Sequence, residues 1–157
     1  MFKKILIPTD GSPLSVQSAR AGVEFAKSVG AEVVALYVTQ PFAATIGFDG
    51  MAAAYAITDE SYEKAAAEQA AEYLKEIVDM ANAAGVPVEQ LSVSNFNVAD
   101  GIVQAAADKG CDLIFIGSHG RSGLSRLLLG SVTAKVLSLS TIAVLVFRVK
   151  EEKKKEE

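Results

Sequence analysis

The residues best equipped for chemistry lie between Gly117 and Thr133. They run Gly117-Ser118-His119-Gly120-Arg121-Ser122-Gly123, then Arg126, then Gly130-Ser131-Val132-Thr133. Gly117 and Gly120 follow an apolar run and permit a tight turn with close backbone approach to a bound group. Gly130-Ser131 opens a segment of helical period. The first N–H groups of a helix lack intrahelical partners and the helix dipole makes that end positive, so such a start favours a phosphate. Arg121, Arg126 and the hydroxyls of Ser131 and Thr133 add donors. The glycines by themselves are equally consistent with turns and a helix cap. Neither G-x-x-x-x-G-K-[ST] nor a G-x-G-x-x-G after the first strand occurs. A generic nucleoside triphosphatase and a dinucleotide dehydrogenase are therefore unsupported.

Other reactive side chains are few. Pro8-Thr9-Asp10 ends the first apolar run, where Asp10 either meets a ligand or caps the helix that follows. His119 has no evident Asp or Ser relay and is a poor candidate for a general base. Cys111 and His119 are each the single residue of their type, so neither an internal disulfide nor a Cys/His zinc site is expected. Cys111 reads as a small buried residue before a strand. No paired base and nucleophile suited to hydrolysis stands out.

Composition sets the frame in which these residues must be held. The chain has 157 residues, half of them hydrophobic and 22% charged, which suits one globular domain with a sizeable core. The net charge of −4 disfavours nucleic acid bound through general electrostatics, but leaves room for a locally positive anion site. The opening apolar run stops at Pro8, too short for a signal peptide, and no stretch approaches the roughly 18 apolar residues of a membrane span. Without a cysteine pair, a reducing cytoplasm is the expected setting.

The apolar period alternates between two and 3.6 along the chain. Strands are expected at 4–7, 32–38, 88–93, 112–116 and 142–147. Helices are expected from Ser12-Pro13 to Gly30, over 59–84 with Tyr62, Ala66, Gln69, Tyr73, Ile77 and Ala81 inward, over 98–109, and over 131–139. Thr39 to Thr58 lacks a period and reads as a long connection. Residues 1–149 form one expected domain, and 150–157 a charged tail. The order βαβαβαβαβ predicts an α/β fold, a single-domain doubly wound five-stranded parallel sheet. Ligands bind such sheets where strand order reverses, which nominates the ends of the first and fourth strands.

The spacing Gly117-x2-Gly120-x9-Gly130-Ser131 resembles the G-2x-G-9x-G-[ST] signature of the nucleotide-binding branch of the universal stress protein family. The resemblance extends over nearly the whole chain. It takes in "KKILIPTDGS", "CDLIFIGSHGRSGLSRLLLGSVTAKVL" and "AVLVF". Two departures occur: Thr141-Ile142-Ala143 stands where relatives often have Cys-Pro-Val, and Asn95 where they have Gly.

The resemblance implies a Rossmann-like fold of the adenine nucleotide alpha hydrolase kind, binding ATP, ADP or AMP with Mg²⁺ or Mn²⁺. Pro8, Thr9 and Asp10 would line the adenine and ribose region, and Val38 would meet the adenine. Gly117, Ser118, His119, Gly120, Arg121, Ser122 and Gly123 would wrap ribose and phosphates. Gly130, Ser131, Val132 and Thr133 would receive phosphate. It also implies a homodimer through antiparallel pairing of the last strands, at Val144 and Val146. A cytoplasmic nucleotide-dependent regulator in stress response is the expected role, with slow or no hydrolysis and with neither nucleic acid nor membrane as partner. A weak ATPase or autophosphorylating protein is the alternative. A phosphoryl receiver is set aside, because only Asp10 ends the first strand and Ser92-Val93-Ser94-Asn95-Phe96 offers no acceptor Asp. A flavin mononucleotide carrier shares the topology.

Overall fold

A short β-branched run, Lys4–Pro8, forms β1 in the computed structural model of the chain, which describes residues 1–42, 59–119 and 128–149. The elements then follow as α1 (Pro13–Val29), β2 (Glu32–Thr39), α2 (Asp59–Ala84), β3 (Val88–Ser94), α3 (Val98–Asp108), β4 (Leu113–Gly117), α4 (Ser131–Leu139) and β5 (Ala143–Phe147). Most of the long connection after Thr39, the segment from Gly120 through Arg126, and the charged tail lie outside the described residues.

All strand pairs are parallel and the sheet order is β3-β2-β1-β4-β5. This is the doubly wound α/β fold expected from the alternating periods. The central strands are covered on both faces, so their apolar runs are continuous rather than alternating. Ile5, Ile7, Val33, Ala35, Leu113 and Phe115 pack with α1 and α2 through Ala19, Val23, Leu74 and Ile77. Leu6, Val34, Leu36, Ile114 and Ile116 belong to the opposite core, with Ile102 and Ala106 of α3 and Val136 of α4. Strand order reverses between β1 and β4, which brings Pro8-Thr9-Asp10 beside Gly117-Ser118-His119.

Local signals place the helix ends. Ser12 caps α1, its side chain accepting from the Ser15 N–H, with Pro13 in the first turn; Gly30 closes it at φ 69°. The inward face of α2 differs from the expected one. Ile77 and Ala81 are buried and Tyr62, Ala66 and Tyr73 half-buried, but Gln69 is exposed, and Ala70 and Leu74 complete the buried stripe. A row with Gln69 for Ala70 rotates the helix by one residue; the alanine-rich composition of this segment made the two registers nearly equal in apolarity. Among the described residues no helix is long and apolar enough to cross a membrane.

Candidate functional site

The switch point opens into a cavity of about 270 Å³, near the lower bound of the roughly 300–1,000 Å³ common for small-molecule sites. Its walls are the β1 end, the β4 end and the start of α4. Ser15, Val98, Ile102 and Ile116 supply the rest of the lining.

The β1 end is held by its own polar groups. The Thr9 N–H donates to the Leu36 carbonyl at 2.9 Å. The Ser15 hydroxyl donates to the Ser12 carbonyl at 3.0 Å and lies 3.0 Å from Thr9 Oγ1. With its single proton used, Ser15 must accept from Thr9, whose oxygen in turn accepts the Gly11 N–H at 3.1 Å. Both hydroxyls are thus committed within the protein. Asp10 Oδ1 accepts the Ser12 N–H at 2.9 Å, an Asx turn that aims the carboxylate's segment at the cavity.

The β4 end and α4 are joined directly. The Ser118 N–H donates to Phe147 and its carbonyl accepts the Gly130 N–H at 2.8 Å. The buried Thr133 hydroxyl donates to the Gly117 carbonyl at 2.7 Å. Helix α4 begins at Gly130 without a side-chain cap, and its first intrahelical bond is Ala134 N–H to the Gly130 carbonyl. The N–H groups of Ser131, Val132 and Thr133 are left without protein acceptors among the described residues. They form the positive end of α4, at the cavity wall. A Cβ on Gly130 would stand 3.2 Å from the Ser118 carbonyl oxygen and 3.4 Å from His119 Cα, so glycine is what lets the helix start close against the strand end. His119 Nδ1 lies 3.1 Å from Ser118 Oγ, a serine contact that the sequence did not reveal. Its Nε2 is buried with no hydrogen-bond partner among the described residues.

Nine of the sequence-nominated residues line this cavity: Pro8, Thr9, Asp10, Gly117, His119, Gly130, Ser131, Val132 and Thr133. Ser118 is buried behind the lining and ties β4 to β5 and α4. Val38 is buried in the α3-side core, where a Cβ on Gly101 would come within 2.9 Å of its Cγ1; it is not part of the lining. Gly120, Arg121, Ser122 and Gly123 lie outside the described residues. Sequence reasoning missed Ser15, Val98, Ile102 and Ile116. Ile102 and Ile116 carry only the signature of core residues. Ser15, three residues past a cap, carries the signature of an ordinary first helical turn.

Away from the cavity, at the opposite end of β4, burial pushes the Cys111 thiol from 9.0 up to about 11. Lys4, hydrogen-bonded to Glu32 at 2.8 Å, has its ammonium form favoured by that carboxylate. No cluster of three or more His, Cys, Asp or Glu side chains suited to a metal forms among the described residues.

Fold and site together define a doubly wound α/β protein with an uncapped helix start at its switch point. The model of the Universal stress protein family matches residues 1–148, and the chain belongs to that family. Universal stress protein MJ0531 of Methanocaldococcus jannaschii is 37% identical over 156 residues, covering 98% of this chain and 85% of that protein. The solved structure of MJ0577 from the same organism is similar with a TM-score of 0.79 and 29% identity, over 97% of this chain and 99% of that one. A universal stress protein crystallised in complex with cAMP is similar with a TM-score of 0.64 and 26% identity, over 94% and 97% of the two chains.

Proposed function

We propose that the chain binds an adenine nucleotide in the β1/β4 crevice and serves as a nucleotide-dependent regulator. The observation that carries this reading is the uncapped first turn of α4, which offers three N–H groups at a cavity with an apolar floor. The similar protein crystallised with cAMP supports the adenine nucleotide class. ATP with Mg²⁺ or Mn²⁺ is the expected ligand. The backbone of Ser131, Val132 and Thr133 would hold phosphate, together with the exposed Ser131 hydroxyl and the segment Gly120 to Gly123. Pro8, Thr9 and Asp10 would border the base and ribose, with Val98, Ile102 and Ile116 as apolar floor. Because Thr9 and Thr133 spend their hydroxyl protons inside the protein, their part is to shape the site rather than to donate to the ligand. A divalent ion would arrive on the phosphates and keep several waters, with Asp10 the carboxylate at the cavity wall. A cytoplasmic homodimer paired through β5 completes the proposal.

Calorimetric titration of the nucleotide-free chain with MgATP tests it, with phosphate release followed in parallel. One nucleotide per chain is expected. Gly130 has φ −57° and ψ 151°, which valine adopts, and its Cβ would press on the Ser118 carbonyl oxygen at 3.2 Å, so Gly130→Val both obstructs the cavity wall and pushes the helix start from the strand end. It should weaken binding by about tenfold or more, since each 1.4 kcal/mol lost is a factor of ten. Absence of binding at millimolar MgATP, confirmed by a second method, would overturn the reading.

A further inference from the structure

We propose that Tyr73, on α2 and outside the cavity lining, is a positioning residue that sets the β1–α1 turn and through it the nucleotide affinity. A Cβ on Gly11 would stand 2.3 Å from Tyr73 Cζ, 2.4 Å from Cε1 and 2.5 Å from Cε2. The hydroxyl end of the ring therefore lies directly against the Gly11 backbone. Gly11 has φ +78°, a conformation that glycine enters and leaves at little cost. What keeps it there must come from its neighbours. On one side are the two turn bonds, Gly11 N–H to Thr9 Oγ1 at 3.1 Å and Ser12 N–H to Asp10 Oδ1 at 2.9 Å. On the other is the Tyr73 ring.

The ring is itself held in two directions. It meets Tyr37 of β2 edge-on at 5.5 Å, and its hydroxyl accepts from Gln69 Nε2 at 3.0 Å. It is therefore a held stop rather than a loose cover, because edge-to-face contact favours one relative orientation of the two rings and the hydrogen bond fixes the hydroxyl end. The two residues whose side chains close the turn bonds, Thr9 and Asp10, are also cavity-lining residues. A shift of Gly11 passes to them directly. Tyr73 thus couples the long helix α2 to the crevice without touching a ligand. The consequence for affinity rests on the nucleotide reading; the hold on the turn does not.

The test uses the full-length chain, Tyr73→Phe, Tyr73→Leu, Gly11→Ala and the Gly11→Ala/Tyr73→Leu pair. Three quantities are read: the Gly11 Hα shift by NMR, amide exchange at Gly11 and Ser12, and the calorimetric Kd for MgATP and AMP. Tyr73→Phe keeps the ring and should preserve the upfield Gly11 Hα shift, the exchange rates and, within about twofold, the Kd. Tyr73→Leu should lose the ring shift, speed exchange at both amides about tenfold and raise the Kd about tenfold, with the remaining amides protected as before. Gly11→Ala collides with ring atoms that leucine lacks, so its effect on Kd should be about threefold or more smaller in the Tyr73→Leu background. Wild-type exchange and wild-type Kd in Tyr73→Leu overturn the proposal. If that variant does not fold, additivity is not needed: Gly11→Ala with wild-type affinity overturns the proposal by itself. A wild-type chain that binds neither nucleotide at millimolar concentration overturns the reading of the cavity, and the exchange and shift comparison still accepts or rejects Tyr73 as the group holding the turn.

Discussion

Thr9, Ser15, Thr133 and Ser131 are all hydroxyl residues at one cavity, yet three of them have already spent their protons inside the protein. Of the four, only the exposed Ser131 has a hydroxyl with no partner among the described residues, and the main donors become backbone N–H groups. Residue type suggested the hydroxyls of both Ser131 and Thr133 as phosphate donors; the Thr133 bond to the Gly117 carbonyl leaves Ser131 as the hydroxyl donor of the two. The same accounting applies to Cys111. Its thiol stays protonated in the folded chain up to about pH 11 because burial disfavours the thiolate. Below pH 9 both folded and unfolded chains carry the proton and stability does not change on its account. Above that the unfolded chain alone ionises, so stability should fall between pH 9 and 11 by up to about 2 kcal/mol. Urea unfolding of the wild type and Cys111→Ala across this range checks it: the alanine variant should show a shallower alkaline loss. Lys4 is held protonated above its ordinary range chiefly by Glu32, with only a smaller part from Cys111, so most of its contribution is common to both proteins.

At the scale of elements, helix starts do two different jobs here. Helix α1 opens on Ser12, whose side chain accepts the Ser15 N–H at 3.2 Å, so its end is satisfied from within. Helix α4 opens on Gly130 with no such cap, and its first N–H groups, at the cavity, have no acceptor among the described residues. The contrast predicts that Ser12→Ala destabilises the fold by about 1 kcal/mol, read as a lower urea midpoint at unchanged slope. A midpoint equal to wild type would show that α1 is held by packing alone. Both starts were legible in the sequence, as Ser12-Pro13 and Gly130-Ser131. Their difference in satisfaction was legible only as residue type, serine against glycine. The face of α2 was less legible: Ala65, Ala66, Ala67 and Ala70 make neighbouring rows almost equally apolar, and only packing against α1 and β2 selects the one with Ala70 and Leu74.

For the molecule as a whole, β5 is an outer strand of the sheet, with one side bonded to β4. The Phe147 carbonyl accepts the Ser118 N–H. Alternate residues of a strand bond to opposite sides, so Val144 and Val146 turn their N–H and C=O groups outward. If β5 pairs with its copy, those are the groups that bond. Val146→Pro removes an outward donor while leaving the bonds to β4 intact. Light scattering should give a dimer for the wild type and a monomer for the variant, with a melting temperature within about 5 °C of wild type. A variant that stays dimeric, or a wild type that is monomeric at micromolar concentration, excludes this interface.

The order of strands and helices, their approximate ends, and the nomination of Pro8-Thr9-Asp10 and Gly117 to Thr133 came from the sequence alone. They could, because period and cap chemistry are local: each strand and helix writes its own pattern of apolar and breaking residues. Tertiary structure alone decided which nominated residues meet. It sent Val38 into the core against Gly101, brought Ser15, Val98, Ile102 and Ile116 to the cavity, and set Tyr73 against Gly11. Such contacts depend on how far one element approaches another and on which polar groups are already paired, and both are properties of packing that no local spacing encodes.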